Sequence, residues 1–318
     1  MSEQRRVLTI DGGGIKGVYP LSFLASVEEK TEERAATFFD LIVGTSTGGI
    51  IALGLGLGWS AQELLEMYRS LGKRVFANGI WGRIKSAWRH WMLSKYDSEP
   101  LRKLLHESFG EKRLGRSETR LVIPSANLEE GSVYLYKTAH SPRFREDYQE
   151  RVVDIALSTA AAPTYFPAHH SSRSIPLVDG GVWANNPSAV GAVEALEILD
   201  WEKGDIELLS LSCTSEPFEV GWGQRFGLGR LYWSTKVTDL FMSTQASAAH
   251  GMTQHLLGKD HVVRVDHVVP KGEHGLDSVN KIDQLVGLGT TKARHRFPEL
   301  KKRFFGSTVS TFKPHHTL

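Results

Sequence analysis

Three short stretches of this chain have the residue types and spacing that chemistry requires. Gly44-Thr45-Ser46-Thr47-Gly48 fits G-x-S-x-G, with an apolar run before it and a run of helical character after it. That setting puts a serine on a sharp strand-to-helix turn, where flanking glycines relieve crowding and Oγ projects clear of the backbone as a nucleophile. A serine needs a base. Of the thirteen histidines, His169, His170, His250, His255, His261, His267 and His274 lack a telling context. Asp179 has one, because it ends the apolar run Ile175 to Val178 and is followed by Gly180-Gly181. Strand C-termini of a parallel sheet gather on one rim, so Asp179 and Ser46 are expected to meet there. Asp-Gly-Gly alone would read as an ordinary turn. Third, Gly12-Gly13-Gly14 follows an apolar run and precedes a helix, and such a side-chain-free loop can turn its N–H groups toward developing negative charge.

Gly12, Gly14 and Gly17 also satisfy G-x-G-x-x-G, the dinucleotide fingerprint of NAD-dependent oxidoreductases. The acidic residue expected about twenty positions on is not convincingly placed: Glu32 and Glu33 lie in a polar helix end, and Asp40 precedes its strand. A P-loop needs Lys and then Ser or Thr after its last glycine, whereas Val18 and Tyr19 follow Gly17.

The elements that must position these residues alternate. Val7–Ile10, Phe39–Val43, Arg120–Pro124, Val133–Thr138, Ile175–Val178 and Ile206–Ser212 read as strands. Val18–Lys30, the run after Ser46, Ala61–Leu71, Val152–Ala161 and Pro187–Leu199 read as helices. Ser60 and Glu63 predict a capping box at the start of the third helix, and Pro163 ends the fourth. This alternation predicts an α/β fold, a mostly parallel central sheet covered by helices on both faces. Beyond Cys213 the pattern weakens. We expect a catalytic region over 1–215 and a C-terminal extension, 216–318, packed on it and a candidate for regulation.

Composition agrees with a globular protein: of 318 residues, 41% are hydrophobic and 23% charged, enough apolar mass for a core. Lys plus Arg number 38 against 36 Asp plus Glu, so charge gives no case for a DNA or RNA polymer as partner. One cysteine, Cys213, excludes an intramolecular disulfide framework. The uncharged stretch Leu41–Trp59 approaches a membrane span in length but holds six glycines, and it divides into a strand and a buried helix. No secretory signal can be drawn at the start, and a cytoplasmic address is expected. Between Lys73 and Lys95 stand six Lys or Arg and no acid, with Trp81, Ile84, Trp88 and Trp91 on one helical face. Such a segment suits an interfacial membrane contact or lid, and equally a core or dimer-contact helix with a solvated basic side.

Taken together, Asp11-Gly12-Gly13-Gly14-Ile15-Lys16-Gly17, Gly44-Thr45-Ser46-Thr47-Gly48, Asp179-Gly180-Gly181 and Ala156–Pro167 (ALSTAAAPTYFP) resemble, in order and spacing, the motifs of patatin-like phospholipases. The likeness covers roughly Arg5 to Ser212. It implies a three-layer α/β/α sandwich and a Ser-Asp dyad without a catalytic histidine. Ser46 would be the nucleophile, Asp179 the general base, and the amides of Gly12, Gly13 and Gly14 the oxyanion hole, with Gly44, Gly48, Gly180 and Gly181 as supports. It implies no metal or cofactor for catalysis and membrane phospholipid as substrate. A narrower likeness, in Phe39–Leu57, Lys137–His140 and Gly180–Pro187 (GGVWANNP), is to the bacterial phospholipase effectors of cyclic-oligonucleotide (CBASS) antiviral defence. It implies activation by a cyclic dinucleotide such as a cyclic GMP-AMP and action at the inner face of the cell membrane; self-association on activation is expected because an unregulated cytoplasmic phospholipase would endanger its own cell. The residues that would bind the nucleotide cannot be carried over. The alternatives are a constitutive lipid acyl hydrolase, a non-catalytic binding module on the same scaffold and, remotely, the NAD-binding oxidoreductase.

Overall fold

The computed structural model describes residues 4–72, 94–217, 230–270, 272–273 and 275–318. The segment read as a basic, Trp-rich helix lies outside these residues, apart from Ser94 and Lys95.

The strands are β1 (Arg5–Ile10), β2 (Leu41–Gly44), β3 (Arg120–Asn127), β4 (Ser132–Lys137), β5 (His169–His170), β6 (Pro176–Asp179), β7 (Ile206–Leu211) and β8 (Val262–Val265). The helices are α1 (Val18–Thr31), α2 (Thr47–Gly56), α3 (Ala61–Leu71), α4 (Glu99–Phe109), α5 (Val152–Thr159), α6 (Gly181–Ala184), α7 (Ser188–Val193), α8 (Arg230–Leu257) and α9 (Ile282–Phe304). Pairing is parallel from β3 through β2, β1 and β7 to β8. In contrast, β4, β5 and β6 join by antiparallel pairs. Side chains of a strand alternate between faces, and here the two faces feed two apolar layers. Leu8, Ile10 and Ile42 pack with α1, α2 and α3; Val7, Leu41 and Val43 pack with Ala192, Ala195 and Leu257 on the other side. This is the three-layer, mostly parallel α/β architecture expected.

Local rules hold where the sequence made them explicit. Ser60 Oγ accepts from the Glu63 amide and the Glu63 carboxylate accepts from the Ser60 amide, closing the capping box of α3. The helix read as Pro187–Leu199 divides: α7 ends at Val193, and Glu194–Ile198 forms a π turn. Glu194 is buried there, bonded to Lys137 Nζ and His140 Nε2 at 2.6 and 2.9 Å.

Beyond Cys213 the chain is more regular than its pattern suggests. It contributes α8, α9 and β8, and β8 extends the same sheet beside β7. Only four residues long, β8 carries Arg264 within its apolar run, and α9 is diluted by Gly287, Gly289 and Pro298, which hides both from periodicity. Gly289 has a packing reason: a Cβ there would lie 2.4 Å from the Tyr19 carbonyl oxygen of α1. No helix of the described residues is long and apolar enough to cross a membrane.

Candidate active site

Ser46 occupies the turn between β2 and α2 with φ 55° and ψ −121°. A side-chain-bearing residue reaches this region only under constraint, and the constraints are visible. The Ser46 amide donates to Thr159 Oγ1 at 3.0 Å, and that hydroxyl donates to the Pro124 carbonyl at 2.6 Å. Thr45 Oγ1 donates to the Ala184 carbonyl at 2.6 Å. The flanking glycines are obligatory, since a Cβ on Gly44 would sit 2.0 Å from the Gly48 carbonyl oxygen and one on Gly48 2.2 Å from that of Ile10.

Asp179 ends β6, and the route by which it reaches Ser46 differs from the expected one. Parallel β2 pairs with the first residues of β3, Arg120–Val122. Antiparallel β6 pairs with the last, Ser125–Asn127. Strand β4 runs along Val122–Asn127, so it holds the opposite edge, and β2 and β6 share one edge of β3 and run toward each other. Their C-terminal ends therefore abut. The two residues meet head-on, because β6 is antiparallel, and not side by side on a parallel rim.

The result is a hydrogen bond from Ser46 Oγ to Asp179 Oδ2 of 2.6 Å. Asp179 Oδ1 accepts from the Gly181 amide at 2.7 Å. Gly180 lies so close to β3 that a Cβ would stand 2.4 Å from the Pro124 carbonyl oxygen. Burial pushes the Asp179 carboxyl up to about 6, with the bonds from Ser46 and Gly181 acting against that rise. Among the described residues no histidine bonds to Ser46 or Asp179; His169 is held by Asp154 at 3.2 Å and His261 by Glu207 at 3.0 Å.

The glycine loop does not use its three amides alike. Gly12 N donates to the Asn185 carbonyl at 2.9 Å and is thereby committed. The amides of Gly13 and Gly14 have no partner among the described residues, and both glycines line the cavity that holds Ser46. The rest of the loop is pinned. Asp11 is buried in a two-pronged pair with Arg264, at 2.6 and 3.3 Å. Its carbonyl accepts from Cys213 Sγ, the Gly14 carbonyl from Thr47 Oγ1, and Ile15 N donates to the Leu276 carbonyl. Burial raises the Asp11 carboxyl and Arg264 opposes this; it also pushes the Cys213 thiol well above its ordinary range.

A cavity of about 420 Å³ opens over these groups, and its walls are chiefly apolar: Ile50, Leu71, Leu101, Phe166, Met242 and Leu276 beside Ser46 and Asp179. Phe241 and Val182 line it too and remain 67% and 51% exposed, which places them at its mouth. Sequence reasoning missed Thr159, Arg264, Leu276 and Asn185. Asn185 and Thr159 carried a signal, lying within GGVWANNP and ALSTAAAPTYFP; Arg264 and Leu276 lack any local pattern that would mark them.

The profile of the patatin-like phospholipase family matches residues 8–190. A cGAMP-activated phospholipase of Pseudomonas aeruginosa is 31% identical over 277 residues, covering 87% of this chain and 82% of that protein. One of Vibrio cholerae is 30% identical over 348 aligned positions and 98% of each chain. Patatin-like protein 2 of rice, Oryza sativa subsp. indica, is 34% identical over 288 positions, 76% of this chain and 70% of its own. With a profile across more than half its length and phospholipase relatives along most of it, the chain belongs to the patatin-like phospholipase family, which marks it as a lipid-hydrolysing enzyme.

Proposed function

We propose that this protein hydrolyses fatty-acyl esters of membrane phospholipids through a Ser46–Asp179 dyad and is switched on by a cyclic dinucleotide. The observation that carries the reading is the 2.6 Å bond from Ser46 Oγ to a buried carboxylate in the wall of an apolar cavity. Ionised Asp179 accepts the Ser46 proton as Oγ attacks the ester carbonyl. The carbonyl oxygen takes up negative charge against the unpaired amides of Gly13 and Gly14. Collapse expels the alcohol, which receives the proton from Asp179, and leaves an acyl-serine. Water, deprotonated by Asp179, then attacks the acyl-serine; release of the fatty acid returns the proton to Ser46. A carboxyl near 6 is a better base than an ordinary carboxylate and is still ionised at neutral pH. The apolar cavity offers an acyl chain a dry seat.

Control by a nucleotide rests on similarity. The relatives from Pseudomonas aeruginosa and Vibrio cholerae carry cGAMP activation in their names and match 87% and 98% of this chain. An enzyme of this kind in the cytoplasm would attack its own cell's membrane if unregulated, which gives a switch its purpose in antiviral defence. Fatty-acid release from phospholipid vesicles should be measured for wild type and Ser46→Ala, with and without a panel of cyclic dinucleotides. Release by wild type with one nucleotide, and none by Ser46→Ala, is the expected result. Release without nucleotide would remove the switch and leave a constitutive lipid acyl hydrolase; release by Ser46→Ala would remove the dyad. Light scattering with and without the active nucleotide tests self-association.

A further inference from the structure

The commitment of the Gly12 amide leaves the proposed oxyanion site with two backbone donors, and the residue that takes that amide stands beside them. We propose that the Asn185 side chain is a further catalytic group, an amide donor to the developing oxyanion on the ester carbonyl. This rests on the Ser46 reading above.

Asn185 follows α6, and both its backbone groups are fixed. Its N–H donates to Gln245 Oε1 of α8 at 2.7 Å, and its carbonyl accepts from Gly12 at 2.9 Å. These bonds hold the residue without help from its side chain. The side-chain amide has no hydrogen bond to any described residue and lines the cavity with Ser46, Asp179, Gly13 and Gly14. Its position can be triangulated. Oδ1 lies 2.4 Å from the point a Cβ on Gly12 would take, and that point is 3.2 Å from Ser46 Cβ; Oδ1 is also 3.4 Å from the corresponding point on Gly181, itself 3.0 Å from Asp179 Oδ1. The amide is therefore seated between the glycine loop and the dyad. A half-turn about its last torsion exchanges Oδ1 and Nδ2, so either face can be offered to a substrate.

The next residue shows what a structural asparagine looks like here. Asn186 is buried, and its side chain is consumed at both ends, Nδ2 donating to the Ala246 carbonyl at 3.1 Å and Oδ1 accepting from the Ser188 amide at 3.0 Å. Asn185 has the anchoring of a structural residue in its backbone and an uncommitted amide in the cavity.

The test is kinetic. With a soluble p-nitrophenyl ester, and cyclic GMP-AMP present if activity requires it, Asn185→Ala and the isosteric Asn185→Asp are compared with wild type. Loss of one oxyanion donor lowers kcat about 10²–10³-fold, and KM is expected to stay within about threefold. A fatty-acyl trifluoromethyl ketone, which forms the same tetrahedral oxyanion on Ser46, should weaken in proportion to kcat/KM, while binding of the fatty-acid product does not move. Thermal midpoints should match wild type, because the backbone bonds of residue 185 survive both substitutions. Activity of either variant within threefold of wild type overturns the proposal and leaves Ser46 untouched. So does a loss accompanied by a fallen midpoint with ketone and product affinities moving together, which would mean a structural role. Hydrolysis by Ser46→Ala is the separate result that would overturn the underlying reading.

Discussion

Asp179 carries a cost that its proposed role as general base explains. Its carboxyl is lifted from an ordinary 3.8 to about 6 in the fold, so the folded state prefers it protonated. The stability this contributes is full below about pH 4 and is lost as pH rises through about 6, leaving a deficit of up to about 3 kcal/mol at neutral pH. Asp179→Asn removes the charge and should raise stability at pH 8 by about 1–3 kcal/mol, an advantage that shrinks toward pH 4, while hydrolysis is abolished. Urea unfolding at the two pH values measures it; an Asn variant less stable at pH 8 would contradict the account. The same ionisation sets activity: kcat/KM on a soluble ester should fall tenfold per pH unit below about 6 and level off above it. The meeting of Ser46 and Asp179 was legible in the sequence, because each ends an apolar run and is followed by small residues. The commitment of Gly12 was not, since its partner carbonyl, on Asn185, lies far along the chain and backbone bonds leave no trace in residue types.

At the scale of elements, the proposed dyad depends on β2 and β6 ending against each other along one edge of β3. The run Ile175–Val178 gave the strand and could not give its direction, which is fixed by partners. The capping box of α3 was readable because its two residues are three apart. Strand β8 was not, because Arg264 interrupts it for a tertiary reason: its guanidinium bridges Asp11 and Ser210 Oγ, the latter at 2.8 Å. Removing one partner of a buried pair strands the other charge and typically costs about 3–5 kcal/mol. Arg264→Met should destabilise by about that much in urea melts. Arg264→Met with Asp11→Asn should cost less than the sum of the two single changes; strict additivity would mean the pair does not act as a unit.

The whole molecule is tied together across the position where the sequence pattern fades. Strand β8 covers the free edge of β7, α9 lies along α1, and Phe304 and Phe305 pack against Phe38 and Phe39 near the start of β2. Arg6 Nη1 donates to the Phe304 carbonyl at 2.9 Å. Even the cavity takes Met242 and Leu276 from this part. A chain ending at residue 215 would expose the β7 edge and the apolar face of α1, a template for aggregation. It should fail to give a soluble protein with a cooperative melt by circular dichroism; a monomeric, cooperatively melting product would contradict this. The fold class could be read from the alternation of strands and helices up to Ser212. The share of the C-terminal region could not, because its contacts are long-range and its helices interrupted.

The most direct test of the central claim is to treat the protein, with cyclic GMP-AMP present, with a fluorophosphonate and locate the adduct by peptide mass spectrometry. A single phosphonyl group on Ser46 is expected, absent from Ser46→Ala and formed far more slowly in Asp179→Asn. An adduct on another residue of an enzyme that hydrolyses phospholipid, or unchanged labelling in Asp179→Asn, would contradict the claim.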